Sequence, residues 1–342
     1  REYTLNQKIF GKNLFSEGSR LLRKVSPKYL NIPTTADQYC LYEEFWFQSN
    51  GGTFSDHILN LIQKNDIVIF NAEGSTYRKN FGALVGLFIL YLASKKYNKK
   101  SFFMNGSITI TSVDNVLTEI IRKVAKYGVQ FAVREPYSKR CLDKIQVESI
   151  VIPDSVFYYA NIKSDNKRKK EIFSVSKSML PMMLDSNKEV QDPFINLIIN
   201  ISNKTGFIPL LLSRDPEDKI LLAIKRFIPQ SLICSGSNCS YMDVQKSISE
   251  TQFLISGRYH HLIFGANNKI PLCFFGSTSP KIHGLAELLQ GGNTQNIFDP
   301  THIYPKTDDI TNHCLRIKEE QSSWDPMYMK QQFTDFIKER VI

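Results

Sequence analysis

The stretch LISGRYHHLIFGANNKIPLCFFG, residues 254–276, joins two apolar runs through a Ser-Gly turn, an arginine and two adjacent histidines. TQFLIS (251–256) and IPLCFFG (270–276) are short, apolar and flanked by turn residues, as buried strands are, and 258–268 between them has helical spacing. Strand, helix, strand over so few residues makes a parallel pair with a crossover helix, the unit of a doubly wound sheet. A core needs none of the three polar side chains at the joint. A charged ligand beyond the strand end could use all of them.

The same alternation extends upstream. EIFSVS is a strand, 187–203 a helix, FIPLLLS (207–213) a strand, and DPEDKILLAIKRF a helix with Pro216 in its first turn. SLICS (231–235) is a strand, and SYMDVQKSIS is a helix opened by Ser240 as cap. A last helix is expected over 281–290. An earlier block repeats the pattern, with strands DIVIF (66–70), SFFMN (101–105), VQFAVR (129–134) and VESIVIPD (147–154). Its helices run to about Tyr97, over 113–127, and from Pro136 through EPYSKRCL. The polar stretch NIKSDNKRKK (161–170) separates the blocks. The expected organisation is two Rossmann-like domains facing a cleft, as in GT-B folds: 1–165 on the acceptor side, 166–325 on the donor side, and a C-terminal helix over 326–342 that could pack on either.

A length of 342 residues suits two domains, and the 42% hydrophobic and 22% charged fractions are those of a globular chain. The net charge of +10 favours an anionic partner. The basic runs KKYNKK (95–100) and NKRKK (166–170) lack interleaved aromatic residues, so nucleic acid is not expected. Six cysteines show neither a CxxC pair nor zinc spacing; the closest pair, Cys234 and Cys239, is separated by four residues. That pattern fits a reducing cytoplasm, and no metal is signalled. The most apolar stretch, Phe81 to Ala93, is shorter than the roughly 20 residues of a membrane span.

Ligands of such sheets bind beyond the carboxyl ends of the strands. Four strand–helix joints there could carry chemistry. In NAEGSTYRKN (71–80), Gly74 and Ser75 allow a tight turn and Glu73 and Arg78 could touch a ligand; the alternative is a structural turn. Arg134 ends a strand in VREPYSKR and suits a phosphate or carboxylate, or else pairs locally with Glu135 or Asp154. Arg214 holds the same relation to the second sheet, and Asp215 beside it is a cap. At the opening stretch, Gly257 and Arg258 start a helix whose unpaired N–H groups form an anion site, and His260 in its first turn can exchange protons there. His261 points about 100° further round the helix, so one of the two histidines packs.

DIVIFNAEGS, VREPYSKRCL, IPDSVF and ISGRYHHLIFGANNKIPLCFFG with KIHGLAELL together resemble the polysaccharide pyruvyl transferases over roughly residues 50 to 290. Members typically carry an Asn-Gly-Glu-Gly turn in the first domain and an Arg-Leu-His-Ala stretch in the second. Here Ala72 stands for the first Gly of that turn, Tyr259 for Leu and His261 for Ala. The resemblance implies two GT-B-like domains and transfer of a pyruvyl group from phosphoenolpyruvate, as co-substrate without further cofactor, onto sugar hydroxyls as a ketal. It places Arg258 and His260 on the motif's Arg and His, and Glu73 and Gly74 on its Glu-Gly. Arg258, with Arg134 or Arg214, would then hold the donor's two anions, and His260 would serve as acid or base. The acceptor would be a surface glycan or lipid-linked oligosaccharide, at the inner face of an anionic membrane. A GT-B glycosyltransferase using a nucleotide sugar, and a non-catalytic binder of sugar or lipid phosphates, are the rival readings.

Overall fold

The computed structural model describes residues 31–48, 52–72, 75–76, 81–110, 115–159, 170–176, 191–213, 219–235, 239–275, 280–290, 297–298, 312 and 326–342. The expectations placed on Glu73, Gly74, Arg78, residues 161–169, Arg214, Asp215 and Pro216 lie outside the described residues.

The described residues up to Val133, with Lys139–Ile150, form one compact unit; Arg134–Ser138 and Val151–Arg340 form a second. In the first unit, α1 (Tyr39–Phe47) and α2 (Gly52–Lys64) precede β1 (Ile67–Asn71), β2 (Ser75–Thr76), α3 (Phe81–Tyr97) and β3 (Lys100–Ile108). Then come α4 (Val116–Lys126), β4 (Gln130–Val133), α5 (Pro136–Lys144) and β5 (Ser149–Val151). The strand order is β1-β3-β4-β5, with β2 paired to the end of β3 beyond β1. The pairs β1–β3, β2–β3 and β3–β4 are parallel. The apolar stretch from Phe81 is spent on this core: Leu84, Leu87, Phe88, Leu90, Tyr91 and Leu92 are all buried on α3. Among the described residues no helix is long and apolar enough to cross a membrane.

The second unit contains α6 (Val156–Tyr159), β6 (Lys170–Ser176), α7 (Gln191–Thr205), β7 (Ile208–Ser213), α8 (Lys219–Phe227) and β8 (Leu232–Ser235). It continues with α9 (Tyr241–Ser249), β9 (Thr251–Ser256), α10 (Tyr259–Asn267), β10 (Leu272–Phe275), α11 (Lys281–Gln290), β11 (Ile297–Phe298) and α12 (Pro326–Phe336). Ser240 opens α9 through a reciprocal capping box with Asp243. The sheet order is β11-β10-β9-β6-β7-β8, parallel throughout. The chain therefore winds one way from β6 to β8, then crosses to β9 and winds the other way, so β6 and β9 flank the switch point where ligands of open parallel sheets bind. The C-terminal helix α12 packs on α6: Met329 is buried in the second unit's core, and Phe333 meets Tyr158 at 6.2 Å.

Cys234, at the end of β8, and Cys239, just before the cap of α9, are joined as a disulfide. The strand-to-helix turn brings their Cα atoms to 5.0 Å, a closeness that their spacing alone does not reveal. Cys141 and Cys273 are buried and outside the disulfide, as their apolar surroundings suggest.

Candidate active site

The joint after β9 sits at the switch point. Ser256 pairs in register with Ser174 of β6, and its Oγ accepts a hydrogen bond from the Arg258 backbone N–H at 3.0 Å, turning the chain out of the sheet. Arg258 is extended (φ −99°, ψ 120°) and is the N-cap of α10, while its carbonyl accepts the first helical bond, from Leu262 N–H. Gly257 is buried and Arg258 half-buried. Gly265 lets α10 lie close on its strands, because a Cβ there would come within 2.5 Å of Leu272 and 3.0 Å of Leu254.

The two histidines separate as their helical positions require. His261 is buried, and its Nδ1 shares a 2.5 Å hydrogen bond with Ser174 Oγ. Burial, then the nearby charges of Arg258 and His260, push its pKa well below that of an ordinary histidine, so it is a neutral packing residue. His260 is partly exposed, and its Nε2 lies 3.6 Å from Asp154 Oδ2 without a hydrogen-bond partner among the described residues.

Asp154 joins the elements of the site. It is wholly buried; Oδ1 accepts the Val156 N–H at 2.9 Å and so starts α6, while Oδ2 accepts from Arg134 Nη1 at 2.8 Å and faces His260. Burial works against its charge. His260, Arg134 and the Val156 N–H outweigh burial and hold its carboxyl below the usual carboxylate range.

Arg134 has 1% of its surface exposed. Its guanidinium lies 3.9 Å from the centroid of the Tyr259 ring, and its Nε is 3.8 Å from Glu135 Oε2. Of the two readings of Arg134, open anion receptor or local ion pair, the geometry matches the second, because its charge is already opposed by two carboxylates. This corrects its expected place among the donor ligands.

A cation that the four joints did not include is Lys281, the first residue of α11. Burial, then repulsion from Arg134 and Arg258, lowers its pKa to about 8, with Glu135 acting in the opposite sense. Helices α10 and α11 pack on each other, and each opens on a cation: Arg258 caps α10 two residues before His260, and Lys281, close enough to Arg258 to be repelled by it, begins α11. Such ends attract anions through their unpaired N–H groups as well as their side chains. Arg258, Gly257, His260 and Arg134 thus belong to one cluster in the second unit. Ser75 begins β2 in the first unit, and Glu73, Gly74 and Arg214 lie outside the described residues. Among the described residues no three His, Cys, Asp or Glu side chains gather as a metal site.

Comparison with known proteins identifies the family and the fold. The family model described as polysaccharide pyruvyl transferase matches residues 11–279. Among solved structures, the UDP-GlcNAc 2-epimerase from Methanocaldococcus jannaschii superposes with a TM-score of 0.52 at 11% identity, covering 83% of this chain and 81% of that one. A protein from Listeria monocytogenes assigned as a UDP-N-acetylglucosamine 2-epimerase gives a TM-score of 0.55 at 8% identity, covering 84% and 79%. At these identities the likeness is one of fold, the parallel α/β architecture of the GT-B type. No curated protein matches.

Proposed function

Because the chain belongs to the polysaccharide pyruvyl transferase family, we propose that it moves a pyruvyl group from phosphoenolpyruvate to a sugar of a surface glycan or lipid-linked oligosaccharide, forming a ketal. The observation that carries this reading is that Arg258 caps α10 two residues before His260, whose ring faces Asp154 at 3.6 Å, while a second cation, Lys281, opens α11, which packs on α10. Phosphoenolpyruvate bears a phosphate and a carboxylate, and two separate cations with helix N–H groups suit two separate anions.

The chemistry needs proton transfers and charge control. One sugar hydroxyl adds to C2 of the donor while a proton reaches C3, which becomes a methyl group. A second hydroxyl of the same sugar then bonds to C2 as the C2–O bond to phosphate breaks, through an oxocarbenium-like state; its proton leaves to a base and inorganic phosphate departs. His260 carries one of these protons. Asp154 aims the ring and provides the counter-charge when it is protonated, and Arg134 holds Asp154 in place. Drawn this way, the route calls for no cofactor beyond the donor.

The second unit supplies the donor site in this reading. The first unit supplies the acceptor side, where Glu73, Gly74 and Ser75 belong. The +10 charge supports work in the cytoplasm against the inner face of an anionic membrane, where a lipid-linked acceptor would reside. The test is thermal stabilisation by phosphoenolpyruvate against a panel of nucleotide sugars, on wild type and Arg258→Ala. A ligand at 100 times its Kd adds about 2.7 kcal/mol of stability. A shift with phosphoenolpyruvate that the substitution removes supports pyruvyl transfer; a shift with a nucleotide sugar alone replaces it with glycosyl transfer.

A further inference from the structure

We infer that Tyr259 is a positioning residue whose ring face holds the Arg134 guanidinium on Asp154, so that His260 stands off that carboxylate instead of closing on it. The inference rests on the assignment of His260 as acid or base. Arg134 Nη1 donates to Asp154 Oδ2 at 2.8 Å, and His260 Nε2 faces the same oxygen at 3.6 Å. Asp154 Oδ1 is engaged elsewhere, by the Val156 N–H at 2.9 Å. Two groups able to carry positive charge therefore address one buried oxygen, and the guanidinium is the one at full hydrogen-bond distance. A buried carboxylate bonded to the imidazole in its place would favour the charged ring and keep the proton there. With the guanidinium seated, the charge of Asp154 is already answered, and the imidazole can both take and release a proton.

A flat surface lies against the guanidinium. Its central carbon is over the Tyr259 ring, 3.9 Å from the centroid, where the negative face of the ring attracts a cation and a planar group can stack. Both side chains are withdrawn from water, 1% exposed for Arg134 and 5% for Tyr259, and such a contact is strongest when desolvated. The ring is itself fixed. Tyr259 belongs to the apolar core of the second unit with Phe157, Leu262 and Ile263, and it meets the His260 ring edge-on at 5.9 Å. Its hydroxyl is buried and has no hydrogen-bond partner among the described residues, so packing rather than a polar contact places the ring. Burial also pushes the pKa of that hydroxyl well above its usual value, which keeps the side chain a neutral phenol. One residue thus touches the guanidinium through its face and precedes the histidine in the chain. A shift of Tyr259 would disturb both groups that address Asp154 Oδ2.

The experiment follows the His260 ring signals by NMR across pH in the whole unliganded chain, with His260→Gln to assign them. The other charged or titratable groups around this cluster, Arg258 and His261 of the α10 segment, Tyr241 of α9 and Lys281 of α11, are the same in every variant compared. Tyr259→Phe keeps the ring face and should titrate as wild type does. Tyr259→Leu and Tyr259→Met fill the space without a face. In both, His260 should titrate about one pH unit higher, an about tenfold larger ratio of charged to neutral ring at a given pH. In wild type itself the aromatic ring should displace the Arg134 Nε–H signal upfield, and the displacement should survive in Tyr259→Phe and vanish in Tyr259→Leu. An undisplaced Arg134 signal in wild type overturns the inference, as does a His260 titration unmoved in Tyr259→Leu or Tyr259→Met, or moved equally in Tyr259→Phe. In assays of ketal formation the pH profile of kcat should move with the His260 titration. Failure of the wild type to form a ketal from phosphoenolpyruvate counts against the proposed reaction instead, and the NMR titration still judges the role of Tyr259.

Discussion

Glu43 in the first unit and Asp154 in the second are both buried carboxylates set among cations and aromatic rings, yet they are completed differently. Glu43 receives Lys95 Nζ and the Tyr91 hydroxyl on one oxygen and Lys96 Nζ on the other, each at 2.7 Å. Burial opposes its charge, and these three donors outweigh it, holding the carboxyl below the usual range. Such a carboxylate, met on both oxygens at full hydrogen-bond distance, pins α1 to α3 and has nothing left to exchange. Asp154 is equally buried, but its third neighbour, His260, stands 3.6 Å away and is partly exposed. The first cluster is closed. The second has a titratable ring at its edge and a lysine of lowered pKa nearby, which is the arrangement chemistry needs.

The largest effect expected from this contrast is on turnover. His260→Ala should cost about 10²–10⁴-fold in kcat, the usual contribution of a general acid or base, with the melting temperature little changed because the ring is not a core residue. A loss below tenfold in steady-state ketal formation would remove the distinction between the clusters. Arg134→Met tests the open cluster's foundation. It leaves Asp154 and Glu135 buried without their shared guanidinium, and denaturant unfolding should report a loss of about 3–5 kcal/mol. Glu43→Gln, the matching change in the closed cluster, should cost less, about 1–3 kcal/mol, since Lys95 and Lys96 can turn to water. Its kcat should stay within a few-fold of wild type.

Lysine 281 sharpens the comparison through pH. Its lowered pKa means that the ammonium is fully present only below about 8, whereas an ordinary lysine keeps its charge past pH 10. An anion binds the charged form, so donor affinity should hold below that value and be lost as pH rises through it. Titrations at pH 7 and pH 9 should differ by about tenfold in Kd, with Lys281→Arg removing the dependence. The unliganded protein should respond oppositely. Its folded state disfavours the charged lysine, so stability should rise between about pH 8 and the unfolded lysine's range of about 10.4.

The fold was legible because buried parallel strands are short apolar runs between turns, and TQFLIS, SLICS and EIFSVS each coincide with a strand of the second sheet to within one residue. Ser240 was legible for a local reason: a cap and its partner Asp243 are three residues apart. The site was less so. Asp154 meets Arg134 across 20 residues, and the choice between an ion pair and an open receptor depends on burial that no local pattern encodes. Lys281 looks like any solvated lysine at a helix start until Arg134, Glu135 and Arg258 are brought around it by the fold. A signal was present in the strand IPLCFFG followed by PKIHG, the same strand–helix joint as the four that were read for chemistry.

The smallest effect expected concerns the histidine that packs. The pair His260 and His261 is identical in chemistry, and only the helix face distinguishes them. Ser174→Ala removes the hydroxyl bonded to His261 Nδ1 and leaves one buried nitrogen without that partner. Loss of a single buried hydrogen bond costs about 1–3 kcal/mol, so the unfolding midpoint should drop modestly. Activity below that midpoint should keep its wild-type pH profile, because His261 is already neutral and a neutral ring that loses a partner stays neutral. A profile displaced by Ser174→Ala would mean that His261 exchanges protons during turnover. The division of labour between the two rings would then have to be redrawn, with the β6–β9 switch point, rather than the Asp154 side of α10, as the seat of acid–base chemistry.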